Sequence, residues 1–380
     1  MPLQSALSSL FAGANTVGVA GTFQFVFSDQ ERFWVSMPTS CQAQPGLHPK
    51  ADVTIALEKP VFLAIMQGLA DIEALFAQGQ LKIDGHIGLA TLLPQLVSTV
   101  LHPAGDAQQV QMNRRYPAVP RASEQLSAKL DLQGGIERRP ARHVSAHEFN
   151  AQYRAKGIPL VLTEALDDWP LFRMPRAAAL EHFADVQGIT RHGQYVHKAF
   201  SSEREFRTTT VRDFVAYMEQ PSGQDLDKPP TYMGNNQVPR QWLHLIRFPE
   251  YFDRSLYIPP RFWLGPKGTL TPLHRDDTDN MFAQVWGEKL ILLVAPHHRE
   301  ALGSWATSPH GGLEGCNFDP ENPDLEAFPA ARAVMFLPVH LGPGDLLFLP
   351  EGWFHQVKSL SVSLSVNFWV NSVRNWAGCA

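Results

Sequence analysis

Within residues 271–289 (TPLHRDDTDNMFAQVWGEK), His274 and Asp276 are separated only by Arg275. On a strand, side chains at i and i+2 share a face. An imidazole nitrogen and a carboxylate oxygen then point to one place, and Arg275 points away. Two ligands on one strand make half a metal site. The third has to come from a distant strand, and His355 in PEGWFHQV is the candidate. Two histidines and one carboxylate on one side of a metal, with the other positions open, form the donor set of non-haem Fe(II) oxygenases.

Lys289 bears on what occupies the open side. The segment WGEK at 286–289 reads as a two-residue hairpin turn between apolar strands. In a hairpin Trp286 and Lys289 oppose each other. Counting back by twos through Gln284, Phe282 and Asn280 to Asp276 and His274 then puts Lys289 on the ligands' face. An unpaired buried charge is very costly, so an inward Lys289 calls for an anion beside the metal. A dicarboxylate could chelate the metal at one end and pair with Lys289 at the other, with Thr271 adding a hydroxyl. The other reading of Lys289 is an exposed turn residue.

The elements that must position these groups are short strands. Pro343-Gly344 turns into an apolar run that Pro350 ends, and a short loop leads to His355. Residues 361–369 alternate, with Val362, Leu364, Val366 and Phe368 on one face and Ser361, Ser363, Ser365 and Asn367 on the other. A small polar face suits a solvated barrel interior. Many short strands with inward ligands point to a double-stranded β-helix, the jelly-roll or cupin architecture.

At 380 residues the chain is expected to form two domains. Its 44% hydrophobic and 18% charged content is that of a folded protein, and a net charge of −5 gives no reason to expect nucleic acid. The cysteines Cys41, Cys316 and Cys379 are odd in number and widely spaced, which argues against a disulfide framework. With no apolar run long enough for a membrane span, the expected location is cytoplasmic.

Along the first hundred residues, 21–37 read as a β-hairpin in which Phe23, Phe25 and Phe27 alternate with polar residues, and 51–57 and 81–85 as further strands. Helices are expected over 59–67, 71–78 and 87–101. Residues 104–135 hold scattered Pro, Gly and Gln and read as a linker, with room for a short helix at 123–130. Ser145-Ala146-His147-Glu148 is a capping box opening a helix to about Arg154. Residues 157–162 read as a buried strand, and a helix starts at Thr210. His182, His192 and His197 lack ligand spacing, and His297-His298 reads as a loop at a strand end.

The run DVTIAL at 52–57, the segment FLAIMQG at 62–68 and AQGQLKIDG at 77–85 resemble the sterol carrier protein family over about residues 1–103. That resemblance implies a small α/β domain with an apolar tunnel able to hold a lipid, or a docking module. The chain from about 136 resembles the JmjC/cupin-like Fe(II)- and 2-oxoglutarate-dependent hydroxylases, nearest the factor-inhibiting HIF asparaginyl hydroxylase type. The match runs through TPLHRD at 271–276, Asn280, Gln284, GEK at 287–289, FDPENPD at 318–324, GPGD at 342–345, PEGWFH at 350–355 and SVNFW at 365–369. It implies His274, Asp276 and His355 as iron ligands. Lys289, Thr271 and Tyr232 would hold the distal carboxylate of 2-oxoglutarate, and Asn280 and Asn367 would line the cosubstrate site.

The domains expected are 1–103, sterol-carrier-like; 104–135, linker; and 136–380, JmjC/cupin-like oxygenase with flanking helices. The implied enzyme is a dioxygenase using Fe(II), 2-oxoglutarate and O₂ to hydroxylate an unactivated C–H bond of an amino-acid side chain in a protein or peptide. The alternatives are hydroxylation of a lipid or small apolar molecule presented by the first domain, and a non-catalytic lipid carrier or docking protein. Relatives dimerise through helices beyond the barrel, and this sequence stops at Ala380, so a homodimer is left open.

Overall fold

The structure, a computed structural model, describes residues 3–12, 21–29, 31–37, 40–66, 75, 80–85, 124–196, 205–219, 229–276, 278–306 and 314–370. They divide into two units, one within residues 1–118 and one within 119–375.

In the first unit the phenylalanine alternation forms the strand its period predicts. β1 (Gly21–Phe27) and β2 (Arg32–Met37) are an antiparallel hairpin with Phe23 opposite Val35. β3 (Gln44–Pro45), β4 (Val53–Leu57) and β5 (Leu81–Gly85) complete a sheet of order β3-β2-β1-β4-β5, in which only β1 and β4 run parallel. Phe23, Phe25, Phe27, Ile55 and Leu57 share a core with helices α1 (Leu3–Ala12) and α2 (Lys59–Met66). Phe11 packs on Phe23 with centroids 4.9 Å apart, and Phe62 packs on Phe27 at 5.6 Å. The helices expected over 71–78 and 87–101 lie outside the described residues, apart from the buried Leu75.

The second unit carries β6 (Arg138–Pro140), β7 (Leu160–Thr163), β8 (Gln187–His192), β9 (Glu205–Thr210), β10 (Met233–Gln237), β11 (Arg261–Gly265) and β12 (Leu270–Arg275). There follow β13 (Asn280–Trp286), β14 (Lys289–Val294), β15 (Ser304–Ala306), β16 (Glu314–Cys316), β17 (Leu337–Leu341), β18 (Leu346–Leu349), β19 (Phe354–Ser359) and β20 (Ser363–Trp369). One sheet has the order β10-β11-β20-β13-β18-β7-β6, a second β15-β16-β12-β19-β14-β17, and β8 and β9 pair alone. The core mixes Phe282, Leu347 and Leu349 of the first sheet with Ile291, Leu293, Val339 and Val357 of the second, so the two sheets pack face to face as a jelly roll. The apolar face of β20 turns outward, where Phe368 packs on Phe248 at 5.2 Å and Trp169 at 5.8 Å. Its polar face turns into the barrel.

Three local features depart from simple periodicity. Ser145 caps a helical turn as expected, accepting from Glu148 N at 3.1 Å, but the helix continues as a π-helix over Phe149–Arg154. The wider turn brings Phe149, Tyr153 and Arg154 to the buried side. In the stretch expected as linker, the helix Glu124–Ser127 is followed by Leu130 and Leu132, which pack on the barrel core. His297 and His298 lie in a single 3₁₀ turn, with Ser127 Oγ 3.0 Å from His297 Nδ1.

Residues 286–289 are not a hairpin. β13 pairs with β18 and β20, and β14 with β17 and β19. Gly287-Glu288 is therefore a corner where the chain leaves one sheet for the other. Gly287 adopts φ 66°, and a Cβ there would lie 2.2 Å from the Val362 carbonyl oxygen. The crowded corner, not hairpin twist, requires glycine.

Candidate metal centre

Directly opposed residues on antiparallel strands share a face. The register of the second sheet therefore says which side chains look into the barrel. His274 on β12 lies opposite His355 on β19, which lies opposite Leu293 on β14. Thr271 lies opposite Val357, which faces Ile291, and Ser359 lies opposite Lys289. Three residues from Thr271 to His274 span two on β19, so β12 bulges between them. Without that bulge an odd spacing would send Thr271 to the other face. β12 ends at Arg275, and Asp276 sits just beyond it.

His274, Asp276 and His355 each offer one ligand atom within 4.8 Å of the others. His274 Nε2 is 3.8 Å from Asp276 Oδ1, and His355 Nε2 is 3.9 Å from Oδ2. The other ring nitrogens are engaged: His274 Nδ1 meets the Pro272 carbonyl at 2.8 Å and His355 Nδ1 that of Trp353 at 3.1 Å. Donation there puts the proton on Nδ1 and leaves both Nε2 lone pairs for a cation. Burial, then the neighbouring His355, pushes the His274 imidazole down to about 4, so it is neutral and able to ligate at pH 7.

The loop carrying Asp276 is held from several sides. Trp369 Nε1 donates to Asp276 Oδ2 at 2.9 Å, and Gly352 N donates to the Asp276 carbonyl at 3.0 Å. Three residues on, Asp279 accepts from Glu351 N at 3.0 Å and pairs with the buried Arg154 at 3.3 Å. Thr278 Oγ1 bonds the Val370 carbonyl. On the outer face Arg275 pairs with Glu314 at 2.8 Å, as does Arg299. Burial alone would raise the Glu314 carboxyl, but hydrogen bonds from Arg299, Arg275 and Ser304 outweigh it and hold it at about 2.

The barrel interior beside the triad is polar and incompletely satisfied. Lys289 is 1% exposed, and its Nζ donates to Ser365 Oγ at 2.7 Å and Tyr232 Oη at 3.3 Å. Among the described residues no carboxylate pairs with it, and burial pushes its ammonium down to about 7. The Oδ1 atoms of Asn280 and Asn367 are buried without a hydrogen-bond partner. A buried lysine without a carboxylate partner leaves room for an anionic ligand, and the two orphaned amide oxygens mark a polar pocket beside it that the protein's own groups do not fill. Burial, only partly offset by the nearby Arg191, raises the Tyr232 phenol far above its ordinary value, so it stays a neutral donor.

Sequence reading missed Trp369, Arg154, Asp279 and Glu314. Trp369 had a usable signal, since it continues the inward alternation of Ser365 and Asn367. Arg154 had none, because its inward placement depends on the π-turn. Trp305 was missed too. It opposes Gly315, which opposes His274, so an exposed indole shares the ligand's face and lies over Gly315, where a Cβ would meet its ring at 2.7 Å.

No helix among the described residues is long and apolar enough to cross a membrane. Residues 9–98 match the SCP-2 sterol transfer family, and residues 146–375 match the cupin-like domain. Jumonji C domain-containing protein 5 of Drosophila melanogaster is 29% identical over 241 residues, 59% of this chain and 57% of the relative. Lysine-specific demethylase JMJ30 of Arabidopsis thaliana is 30% identical over 239 residues, 60% of this chain and 53% of the relative. The human tRNA wybutosine-synthesizing protein 5 is 34% identical over 125 residues, covering 33% and 38%. The chain spans about half the length of the curated relatives it matches first. A triad that fits iron, set in a jelly roll and preceded by a sterol-carrier unit, agrees with those matches: the chain belongs to the cupin-like domain family, in its JmjC branch, with an SCP-2 domain at its N-terminal side.

Proposed function

We propose that this protein is an Fe(II)- and 2-oxoglutarate-dependent dioxygenase that hydroxylates an amino-acid side chain of a protein or peptide. The observation that carries the reading is Lys289, a buried ammonium without a carboxylate partner in the same barrel as the His274, Asp276 and His355 ligand atoms. Bound there, Fe(II) with 2-oxoglutarate and O₂ supplies oxidative decarboxylation to succinate and CO₂, coupled to conversion of a substrate C–H to C–OH.

The chain's own groups do the rest. His274, Asp276 and His355 hold the metal from one side and leave the opposite positions free. Lys289, with the Tyr232 hydroxyl and Thr271, takes the distal carboxylate and so selects a dicarboxylate of the right length. Asn280 and Asn367 line the cosubstrate pocket, where their amide NH2 groups can donate to a carboxylate, and Ser365 orients the ammonium. Apolar packing from Phe282, Ile291 and Leu293 excludes water beneath the site. No residue needs to act as a general base.

Relatives named as lysine-specific demethylases are compatible with the same reading, because N-demethylation begins with hydroxylation of the methyl C–H. The SCP-2 match favours a second reading, in which the first domain presents a lipid to the second. Two measurements test the proposal. Mn(II) should bind the wild-type protein and be lost in His274→Ala and Asp276→Ala, and substrate-dependent succinate formation should disappear in both variants. Retained turnover in either variant refutes the assignment. A rise of 2-oxoglutarate turnover on adding fatty-acyl vesicles, but not peptides, would favour the lipid reading.

A further inference from the structure

Lys289 is not the one cation near the triad without a counter-ion. Arg191 lies on β8 outside both barrel sheets, and its backbone pairs with Tyr232: Arg191 N donates to Tyr232 O at 2.8 Å, and Tyr232 N donates to Arg191 O at 3.2 Å. Such a pair sends both side chains to one face. The Tyr232 side chain reaches Lys289 Nζ, so that face is turned to the site. The charge of Arg191 acts on Tyr232, Tyr195 and His274. Its Nε is enclosed without a hydrogen-bond partner, and among the described residues no carboxylate pairs with the guanidinium. Neighbouring arginines show what the fold does when it wants a structural cation: Arg154 has Asp279, and Arg275 and Arg299 share Glu314.

A guanidinium partly withdrawn from water with unused donors is costly unless a ligand supplies the anion. Cosubstrate and substrate are the two sources. The distal carboxylate of a bound dicarboxylate already has Lys289 and the Tyr232 hydroxyl. Lys289 is fully buried, whereas Arg191 as a residue is half-buried. Arg191 therefore stands where an incoming group arrives, not where the cosubstrate's end is sealed.

Resting on the dioxygenase reading above, we propose that Arg191 is a specificity-determining residue that selects a primary substrate carrying a carboxylate close to the reacting carbon, such as an aspartyl or glutamyl side chain. The planar fork of Arg binds a carboxylate through two parallel hydrogen bonds, which fixes orientation as well as charge.

The test uses the full chain loaded with Mn(II) and N-oxalylglycine. The probes are short Gly/Ala peptides with a central Asp, Glu, Asn, Gln, Lys or Arg. Mn(II) enhances proton relaxation in peptides that approach it, so binding beside the metal is read without turnover. Asp or Glu peptides should bind roughly tenfold to a hundredfold tighter than their amide counterparts. Arg191→Gln should level that difference, and Arg191→Glu should turn the preference toward Lys and Arg peptides. Equal relaxation by all six peptides overturns the assignment while leaving the dioxygenase reading intact. A loss of N-oxalylglycine affinity in Arg191→Gln matching the loss of peptide affinity gives Arg191 to the cosubstrate and also overturns it. Failure of the wild type to bind Mn(II) with N-oxalylglycine removes both readings at once.

Discussion

If Lys289 takes the distal carboxylate as proposed, cosubstrate binding is a proton-linked event. In the free protein burial holds its ammonium at about 7, against 10.5 for the ordinary group. That gap corresponds to about 5 kcal/mol, the order of magnitude of the cost of charging the lysine in an empty barrel. The unfolded chain keeps this proton up to 10.5 and the folded chain sheds it above about 7, so the unfolded state binds more protons between those values. Stability of the ligand-free protein should therefore rise with pH across that window, and the gain is lost as pH falls through about 7. A dicarboxylate reverses the preference, because only the charged lysine pairs with it. Below about pH 7 the lysine is already charged and binding needs no proton. Above it, affinity should fall by up to about tenfold per pH unit, with uptake of up to about one proton. Titration calorimetry of N-oxalylglycine into Mn(II)-loaded protein, in two buffers of different ionisation enthalpy, reads the proton count directly. His274 is engaged by the metal in the loaded protein and adds nothing to it. Lys289→Met should remove the pH dependence and weaken binding by roughly a hundredfold or more. It should not lower the unfolding temperature of the ligand-free protein, since it replaces a buried charge by an apolar side chain. Zero proton uptake at about pH 8.5, with tight binding retained, would refute the reasoning, because the lysine would then be charged already or unused.

Trp369→Phe keeps the ring but removes the 2.9 Å donor to Asp276 Oδ2. Mn(II) affinity should fall roughly tenfold to a hundredfold with little change in unfolding temperature, and an unchanged affinity would show that Gly352 N and the loop bonds alone orient the carboxylate. Gly287→Ala places a Cβ 2.2 Å from the Val362 carbonyl at a φ of 66°. It should cost about 3 kcal/mol or more by thermal or urea unfolding, and a loss below about 1 kcal/mol would mean that the corner relaxes freely.

The strands that carry His274 and His355 and the polar lining of β20 were legible in the sequence because each is a local alternation. His274 and His355 lie on neighbouring strands, and Ser365 and Asn367 line the interior as their period requires. What was not legible depends on partners far along the chain. The inward direction of Lys289 was inferred through a hairpin that does not exist, and the inference survived because two departures cancel. A register shift between Gln284 and Trp286 sets Trp286 opposite the outward Leu364, so Trp286 leaves the face of Gln284 and Phe282. The corner at Gly287-Glu288 then passes the chain to the other sheet, where pairing of Lys289 with Ser359 turns it inward again. A parity count across two such irregularities is no better than a coin toss, whereas the count within one strand is set by pleat geometry. The bulge that returns Thr271 to the face of His274 is the same kind of feature: it is imposed by the spacing of Val357 and His355 on another strand. The half-site visible in residues 271–289 thus acquires its geometry from β19 and β20, and substitutions that shift the register of those strands should disturb the metal site as surely as loss of a ligand.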